Sequence, residues 1–340
     1  MIEEKKLASS QLLAVVEKGR RAKWWRRKGS RTRGFRYYDA NGRQITDEAT
    51  LERIKSLVIP PAWKFVRISP SPGSRVQAVG VDTTGRVQYL YHKQYSERQQ
   101  RKKYEKIERF GQMLPQFRQV TNEHLGLEGF PREKVLAIMM RLINSLYFRV
   151  GSEKSVRRYK TFGITTLQNR HVTIDRRGRL VFDFVGKSHI KHRKILVDKD
   201  LARVMDELRS LGPARKLFHY VAEDGSLRSV KPADVNAYIK TATSPEFSSK
   251  DFRTWGATLL AALELAEIGP ADDGREIKRR LVRAIKRVAE QLGNTPTVCR
   301  SSYIHPAVID AYCRGVTLAE FEPRQQRSIR LSQADFEPGE

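Results

Sequence analysis

Two periodicities divide the chain. Up to about position 96 the apolar residues come in short alternating runs: Phe35-Arg36-Tyr37-Tyr38, Trp63-Lys64-Phe65-Val66-Arg67-Ile68, Val76-Gln77-Ala78-Val79-Gly80-Val81 and Val87-Gln88-Tyr89-Leu90-Tyr91. That spacing predicts strands whose successive side chains face opposite ways, and Asp82-Thr83-Thr84-Gly85 reads as a hairpin turn. Charged residues from Glu97 to Arg109 predict a linker helix. Further on the spacing lengthens: Val135, Ile138, Met139, Leu142 and Leu146 form one helical stripe, and Leu259, Leu260, Leu263 and Ile268 another. Alternation returns at Val172-Thr173-Ile174, Leu180 to Val185 and Lys194 to Val197, with a turn at Asp175-Arg176-Arg177-Gly178. The predicted fold is α+β. A basic arm (1–34) precedes a small β-rich domain (35–96) and a mostly α-helical domain (97–340) with an inserted three-stranded antiparallel sheet.

Charge narrows the class of partner. The net charge is +27, on a chain whose 39% hydrophobic content is that of a folded protein. A field of that sign favours a polyanion, nucleic acid before an anionic membrane, held largely through release of condensed counterions. Ten Lys/Arg and no acid fall between Lys18 and Arg36, with Trp24 and Trp25 among them. This stretch is read as an arm that orders on phosphates, against the plainer reading of a solvated tail. Two cysteines, Cys299 and Cys313, make no disulfide framework, which predicts a reducing compartment. The N-terminus lacks an export signal, and no apolar run reaches a membrane span. No Cys/His cluster has zinc spacing, so no metal is expected. Gly186-Lys187-Ser188 resembles the end of a phosphate-binding loop, but Val181 stands where that loop needs glycine, so no nucleotide cofactor is expected either.

What remains is a set of cations, one amide and one tyrosine: Arg149 at the end of the first helical stripe, Lys187 at a hairpin tip, Arg253, Asn294 and Tyr303. Each has an ordinary structural reading. Arg149 suits a helix C-terminus, Lys187 a loop, Gly293 to Pro296 a turn, and Tyr303 a core position. Together they meet the needs of attack on a phosphodiester: an oxygen nucleophile, donors for two non-bridging oxygens, and an acid for the departing oxygen. Guanidinium suits the oxygens through its planar fork and permanent charge, and a desolvated lysine suits the leaving group.

In order and spacing, this set resembles the type IB DNA topoisomerases of the poxvirus-like and bacterial branch. The likeness is carried by Phe148-Arg149-Val150-Gly151, Thr161-Phe162-Gly163-Ile164-Thr165-Thr166-Leu167 with Arg170-His171-Val172, and Phe184-Val185-Gly186-Lys187. It continues through Asp251-Phe252-Arg253-Thr254-Trp255-Gly256 and Leu292-Gly293-Asn294-Thr295-Pro296 to Tyr303, and in the N-terminal domain through Gly85 to Tyr91. The resemblance implies the catalytic fold shared with tyrosine recombinases and relaxation of supercoiled duplex DNA. In that reaction Tyr303 cuts one strand through a 3′-phosphotyrosyl intermediate, the free end rotates, and the 5′ hydroxyl religates it without ATP or a required metal. By position, Arg149 and Arg253 clamp the non-bridging oxygens and Lys187 is the general acid. Asn294 stands where the viral enzymes have histidine, and its neutral amide can donate a hydrogen bond but supplies no charge. Arg86, Gln88, Tyr89 and Tyr91 match DNA-contacting positions, although two tyrosines on one strand face also suit packing against their own sheet. The expected partner is duplex DNA, enclosed by a monomeric clamp in whichever compartment holds the genome. Two rivals are a tyrosine site-specific recombinase, which usually has histidine where this chain has Lys250, and a non-enzymatic architectural DNA-binding protein, for which the charge alone suffices.

Overall fold

The computed structural model describes residues 23–212 and 215–320; the first 22 positions of the expected arm lie outside them. The chain divides into two units, the first ending at Lys103 and the second beginning at Tyr104.

In the first unit, strands β1 (Trp25–Ser30), β2 (Gly34–Tyr38), β3 (Lys64–Ile68), β4 (Val76–Val81) and β5 (Val87–Tyr91) form one antiparallel sheet in the order β2-β1-β3-β4-β5. β1 corrects the expected arm: Arg26 to Ser30 pair with Tyr38 to Gly34, and Trp25 pairs with Ile68. Arg26 and Arg27 are half-buried, whereas Lys23, Lys28, Arg31, Arg33 and Arg36 stay exposed. Arg27 donates to the carbonyls of Trp63 (2.6 Å) and Pro60 (3.1 Å) and lies 4.2 Å from the Phe35 ring centre, while the Lys28 ammonium sits 4.8 Å from that of Tyr38. Helix α1 (Glu48–Ser56), which the hydrophobic pattern did not single out, starts on Asp47, whose carboxylate accepts from Thr50 N at 2.8 Å. It carries Ile54 into a core with Val66, Ile68 and Ala78.

Helix α2 (Lys93–Leu125) runs well beyond the linker helix expected over 97–109, and the division between units falls inside it rather than near Ser96. The second unit continues with α3 (Arg132–Leu146), α4 (Glu153–Tyr159), the sheet β6 (Val172–Ile174), β7 (Arg179–Val185) and β8 (Lys191–Val197), and α5 (Lys199–Ser210). An unforeseen hairpin follows, β9 (His219–Val221) with β10 (Leu227–Ser229). Helices α6 (Pro232–Ala242), α7 (Ser249–Ile268), α8 (Gly274–Leu292), α9 (Pro296–Ser302) and α10 (Pro306–Cys313) complete it. The three-stranded sheet is antiparallel in the order β6-β7-β8, which leaves β8 on an edge.

Helix α3 is apolar nearly all round and is the centre of the main core, with Phe148, Phe182, Phe218 and Ile239 among its neighbours. A second core joins Ala257 and Ala261 of α7 to Ile285, Val288, Ala289 and Leu292 of α8, with Cys299 and Ile304. The buried face of α7 is thus the small-residue face through Ala257, Ala261 and Leu265, and Leu263 of the expected stripe is 38% exposed. Among the described residues no helix is long and apolar enough to cross a membrane, and no three His, Cys, Asp or Glu side chains converge as metal ligands would.

Candidate active site

Tyr303 sits where α9 stops. Thr295 caps that helix and Pro296 fills its first turn, where an N–H would go unused. At the other end Tyr303 has φ −132°, so the chain leaves the helix at the tyrosine. The segment is pinned on both sides. Tyr104 Oη donates to the Ile304 carbonyl at 2.8 Å, while Thr258 Oγ1 donates to the Tyr303 carbonyl at 3.2 Å and accepts from His305 N at 3.0 Å. Ile304 is buried and the Tyr303 side chain is half-buried, so the backbone is fixed while the ring stays within reach of solvent. Cys299, one helical turn earlier, is fully buried and its thiol is pushed up to about 11 by that burial, which keeps it from acting as a rival nucleophile.

The cations are gathered by the end of α8. Asp273 opens this amphipathic helix by accepting from Arg275 N and Glu276 N, and Gly293 closes it with φ +63°. Gly293 N and Asn294 N turn back to the carbonyls of Glu290 (3.2 Å) and Ala289 (2.9 Å). The last carbonyls are then free, and three side chains from three other elements take them. Lys194 of β8 donates to Gln291 O at 2.7 Å, and Arg253 of α7 to Leu292 O at 2.9 Å. Arg149, three residues past α3, donates to Leu292 O at 3.4 Å and Gly293 O at 3.0 Å. Arg149 also donates to Asn294 Oδ1, and Arg253 to the Tyr147 carbonyl. The last turn of α8 has no basic residue of its own, so the negative end of its dipole serves these incoming cations. Arg149 does interact with a helix C-terminus, but that of α8 rather than of the helix it follows.

Backbone contacts fix Arg149 in turn. Ile164 N and Thr165 N donate to the carbonyls of Arg149 (2.8 Å) and Val150 (3.0 Å), and a Cβ on Gly163 would lie 2.6 Å from the Arg149 carbonyl oxygen. Only glycine at 163 permits that crossing.

Among the described residues, no carboxylate forms an ion pair with Arg149, Lys187, Lys194 or Arg253. The consequences agree across the site. Burial, and then the Arg149 charge, lower the Arg253 guanidinium to about 10, with Tyr303 opposing; Arg149 is lowered by burial and also opposed by Tyr303. Burial with Arg253 and Arg149 takes the Lys194 ammonium down to about 8, and burial with Lys194, Arg149 and Arg253 takes His192 down to about 4. The Arg253 guanidinium carbon stands 5.5 Å from the Tyr303 ring centre. Arg253 Nε and Asn294 Nδ2 are buried donors with no partner among the described residues. An arrangement of this kind, uncompensated charge and two idle donors beside a partly exposed phenol, suits an anion with several acceptor oxygens.

Lys187 follows β7 and Gly186 in a short 3₁₀ turn where Ser188 (φ 63°) and His189 (φ 58°) are left-handed. It is exposed and lines one cleft with Arg149, His192, Lys194 and Arg253. Of the five expected residues, the structure puts Arg149 on Asn294 and Arg253 against Tyr303, and sets Lys187 on the cleft that both arginines line. It adds two that sequence reading passed over. The His192 ring stacks on Phe184 (centroids 5.1 Å apart) and occupies space beside two glycines, so that a Cβ on Gly186 would come within 2.5 Å of it and one on Gly293 within 2.2 Å. His192 thereby fixes the turns carrying both Lys187 and Asn294. Lys194 is the other.

In the first unit, Arg86, Tyr89 and Tyr91 are exposed, each tyrosine at 45%, with their rings stacked 6.0 Å apart. The side of β5 packed on the core is instead Leu90. Gln88 is half-buried and donates to Asp82 Oδ2 at 2.8 Å.

Residues 92–326 match the family model described as eukaryotic DNA topoisomerase I, catalytic core, and residues 34–82 match that of the bacterial DNA topoisomerase IB N-terminal domain. DNA topoisomerase 1B of Acanthamoeba polyphaga mimivirus is 30% identical over 81% of this chain and 83% of its own. DNA topoisomerase 1B of Vaccinia virus (strain Copenhagen) is 22% identical over 70% of this chain and 72% of its own. A solved XerH site-specific recombinase bound to difH substrate overlaps 57% of this chain and 49% of its own at TM-score 0.36 and 17% identity, too loose a likeness to bear on function.

Proposed function

The chain belongs to the type IB DNA topoisomerase family, whose members relax supercoiled DNA through a transient single-strand break, and from that premise we propose that the break is made by Tyr303 in the cation cluster at the end of α8. The Tyr303 oxygen attacks the scissile phosphorus and its proton passes to solvent. The bond from phosphorus to the 5′ oxygen breaks, and Lys187 delivers a proton to that oxygen as it leaves. Arg149 and Arg253 hold the two non-bridging oxygens as charge builds on them, and Asn294 Nδ2 adds a neutral donor. Religation reverses each step. One phosphodiester is exchanged for another, so the chemistry itself calls for no outside fuel.

The observation that carries this reading is the gathering of Arg149 and Arg253 beside Tyr303, with no carboxylate to neutralise them among the described residues. A phosphate supplies the missing negative charge. It can use the idle Arg253 Nε and Asn294 Nδ2, and at the guanidinium ends it competes with helix carbonyls that carry only partial charge. DNA is held by one copy of the chain acting as a clamp, with Arg86, Gln88, Tyr89 and Tyr91 contacting the duplex. The two stacked, exposed tyrosines suit sugar and base edges better than a core.

Tyr303→Phe tests the assignment. The variant is expected to bind duplex DNA as the wild type does, with affinity falling steeply as salt rises, and to form no covalent adduct and relax no plasmid. Wild-type adduct formation and relaxation are expected to persist in EDTA without ATP. An adduct on Tyr303→Phe, or relaxation by it, would overturn the proposal, as would a strict need for either additive. Strand exchange between specific sites, in place of relaxation on plasmids lacking them, would favour a recombinase.

A further inference from the structure

β8 has a cation where an edge strand usually turns an apolar side chain inward: its outward face carries Lys191, Arg193, Ile195 and Val197, and its inward face His192, Lys194 and Leu196. Ile195 and Val197 are 51% and 68% exposed, while His192 is buried and Lys194 lies on that same inward side, opposite the buried Phe182 of β7. An ammonium on the inward side of a strand needs a reason. Among the described residues no carboxylate forms an ion pair with Lys194, although Glu290 of α8 lines the hollow beside it. Its Nζ is tied to the Gln291 carbonyl at 2.7 Å, and it lines the cleft that holds Arg149, Lys187 and Arg253. The groups facing it are Arg149 after α3, Arg253 from α7, Lys187 from the turn after β7, His192 from its own strand and Glu290 from α8. All but Glu290 and the neutral His192 are cations.

We propose that Lys194 is an electrostatic positioning residue for strand cleavage, a third fixed positive charge on the α8 terminus that supplies what the neutral Asn294 cannot. This inference rests on the assignment of cleavage to Tyr303 and its cations. Its working range follows from the burial that lowers its ammonium to about 8. Below that pH the charge is present, and as pH rises through it the charge is lost. One unit charge several ångströms from a phosphate, at the effective dielectric of a partly buried site, corresponds to about 10- to 100-fold in rate.

The test is single-turnover cleavage by the full chain from pH 6.5 to 9.5, comparing wild type, Lys194→Met and Lys194→Arg. The substrate is a duplex with sulfur as the bridging 5′ atom of the scissile phosphate. A thiolate leaves without a proton, which removes Lys187 from the comparison, and the wild-type to variant ratio cancels the titrations they share. Lys194→Met is expected to cleave about 10- to 100-fold more slowly than wild type at pH 7, with the gap closing above pH 8. Lys194→Arg is expected to match wild type at pH 7 and to exceed it at pH 9.5. A Met variant within twofold of wild type at pH 7, or a deficit that stays constant with pH and is not restored by arginine, overturns the inference in favour of a packing role. If the Met variant unfolds early, the arginine profile decides alone, and a decline above pH 8 parallel to wild type refutes the idea. Tyr303→Phe runs alongside: an adduct there brings down the cleavage assignment itself, whereas its absence beside a flat Lys194 series removes only this inference.

Discussion

Replacing Arg253 separates catalysis from architecture most sharply. The side chain is 4% exposed, with Nη1 on the Tyr147 carbonyl, Nη2 on Leu292 O at 2.9 Å and Nε buried without a partner among the described residues. Arginine has five N–H groups, so after serving two carbonyls it still has donors for a phosphate. Arg253→Ala removes them all. Loss of a charged donor at a developing oxyanion lowers the rate about 10²- to 10³-fold, or roughly 2.7–4 kcal/mol of barrier. Stability moves much less, because two terms oppose each other. Losing the bond to the Tyr147 carbonyl costs about 1–3 kcal/mol, while removing one cation relieves Arg149 and Lys194, both of which it repels. Leu292 O keeps Arg149 at 3.4 Å. Arg253→Lys retains charge but has three N–H groups in all and no planar fork, so after two carbonyls it has one left; a loss of about 10- to 100-fold is expected. The assay is single-turnover cleavage of a duplex whose short downstream strand diffuses away after the cut, with trapped protein–DNA adduct counted against time and unfolding followed in parallel. Cleavage by Arg253→Ala within about tenfold of wild type, alongside an inert Tyr303→Phe, would refute the reasoning.

Two further substitutions test the supports. Gly293→Ala puts a Cβ 2.2 Å from the His192 ring at φ +63°, whereas Gly315→Ala, at φ +82° with open space around it, meets only the backbone strain. Both are expected to lose about 1–2 kcal/mol from the left-handed conformation, and only Gly293→Ala is expected also to slow adduct formation; equal behaviour of the two would remove His192 as the element that fixes this turn. His192 itself makes stability pH-dependent. Its imidazole is lowered from the ordinary 6.5 to about 4 by burial and the cations around it, so the unfolded chain binds the proton first and stability is lost as pH falls from 6.5 toward 4. That difference corresponds to at most roughly 3 kcal/mol. Denaturant unfolding at pH 7 and pH 4.5 is expected to show the margin of wild type over His192→Asn shrinking at the lower pH, and an unchanged margin would contradict the lowered value.

Alternation made β3, β4 and β5 legible because each has one face on a core and one toward water. β1 was hidden by its own composition, since Trp-Arg-Arg-Lys-Gly-Ser carries no apolar period, and the strand is specified by pairing with β2 and by carbonyls and rings that receive Arg27 and Lys28. The five expected site residues were identified by their order along the chain and by resemblance, because no local rule draws Arg149 and Arg253 to the same carbonyl of a helix that neither belongs to. Lys194 and His192 had a signal that passed unread. The apolar run Lys194 to Val197 predicts a strand from Lys194, whereas it starts at Lys191, and the alternation from there puts His192, Lys194 and Leu196 on one face and the β-branched Ile195 and Val197 on the other. His192 and Lys194 inward beside Leu196, with Ile195 and Val197 outward, set local pattern against fold, a conflict expected where function decides.

The end of α8 explains how such a cluster survives with no carboxylate partner among the described residues. Buried cations this close repel one another, and paired carboxylates would be the usual remedy, but a carboxylate strong enough to neutralise Arg253 would also compete with a phosphate at full charge. Carbonyls at a helix C-terminus carry only about half an elementary charge between them. They hold Arg149, Lys194 and Arg253 in place, as the bonds to Gln291, Leu292 and Gly293 record, yet leave most of the positive potential unspent. Burial lowers the affinity of all three for their protons, and the neighbouring arginine charges lower it further at Lys194 and Arg253. A phosphodiester bound there would act against the repulsion that Arg149 and Arg253 exert on Lys194, while the duplex covering the cleft would add to the burial that is the larger cause of its lowered value, so the cluster stays poised for an anion by the same geometry that places Arg253 against Tyr303.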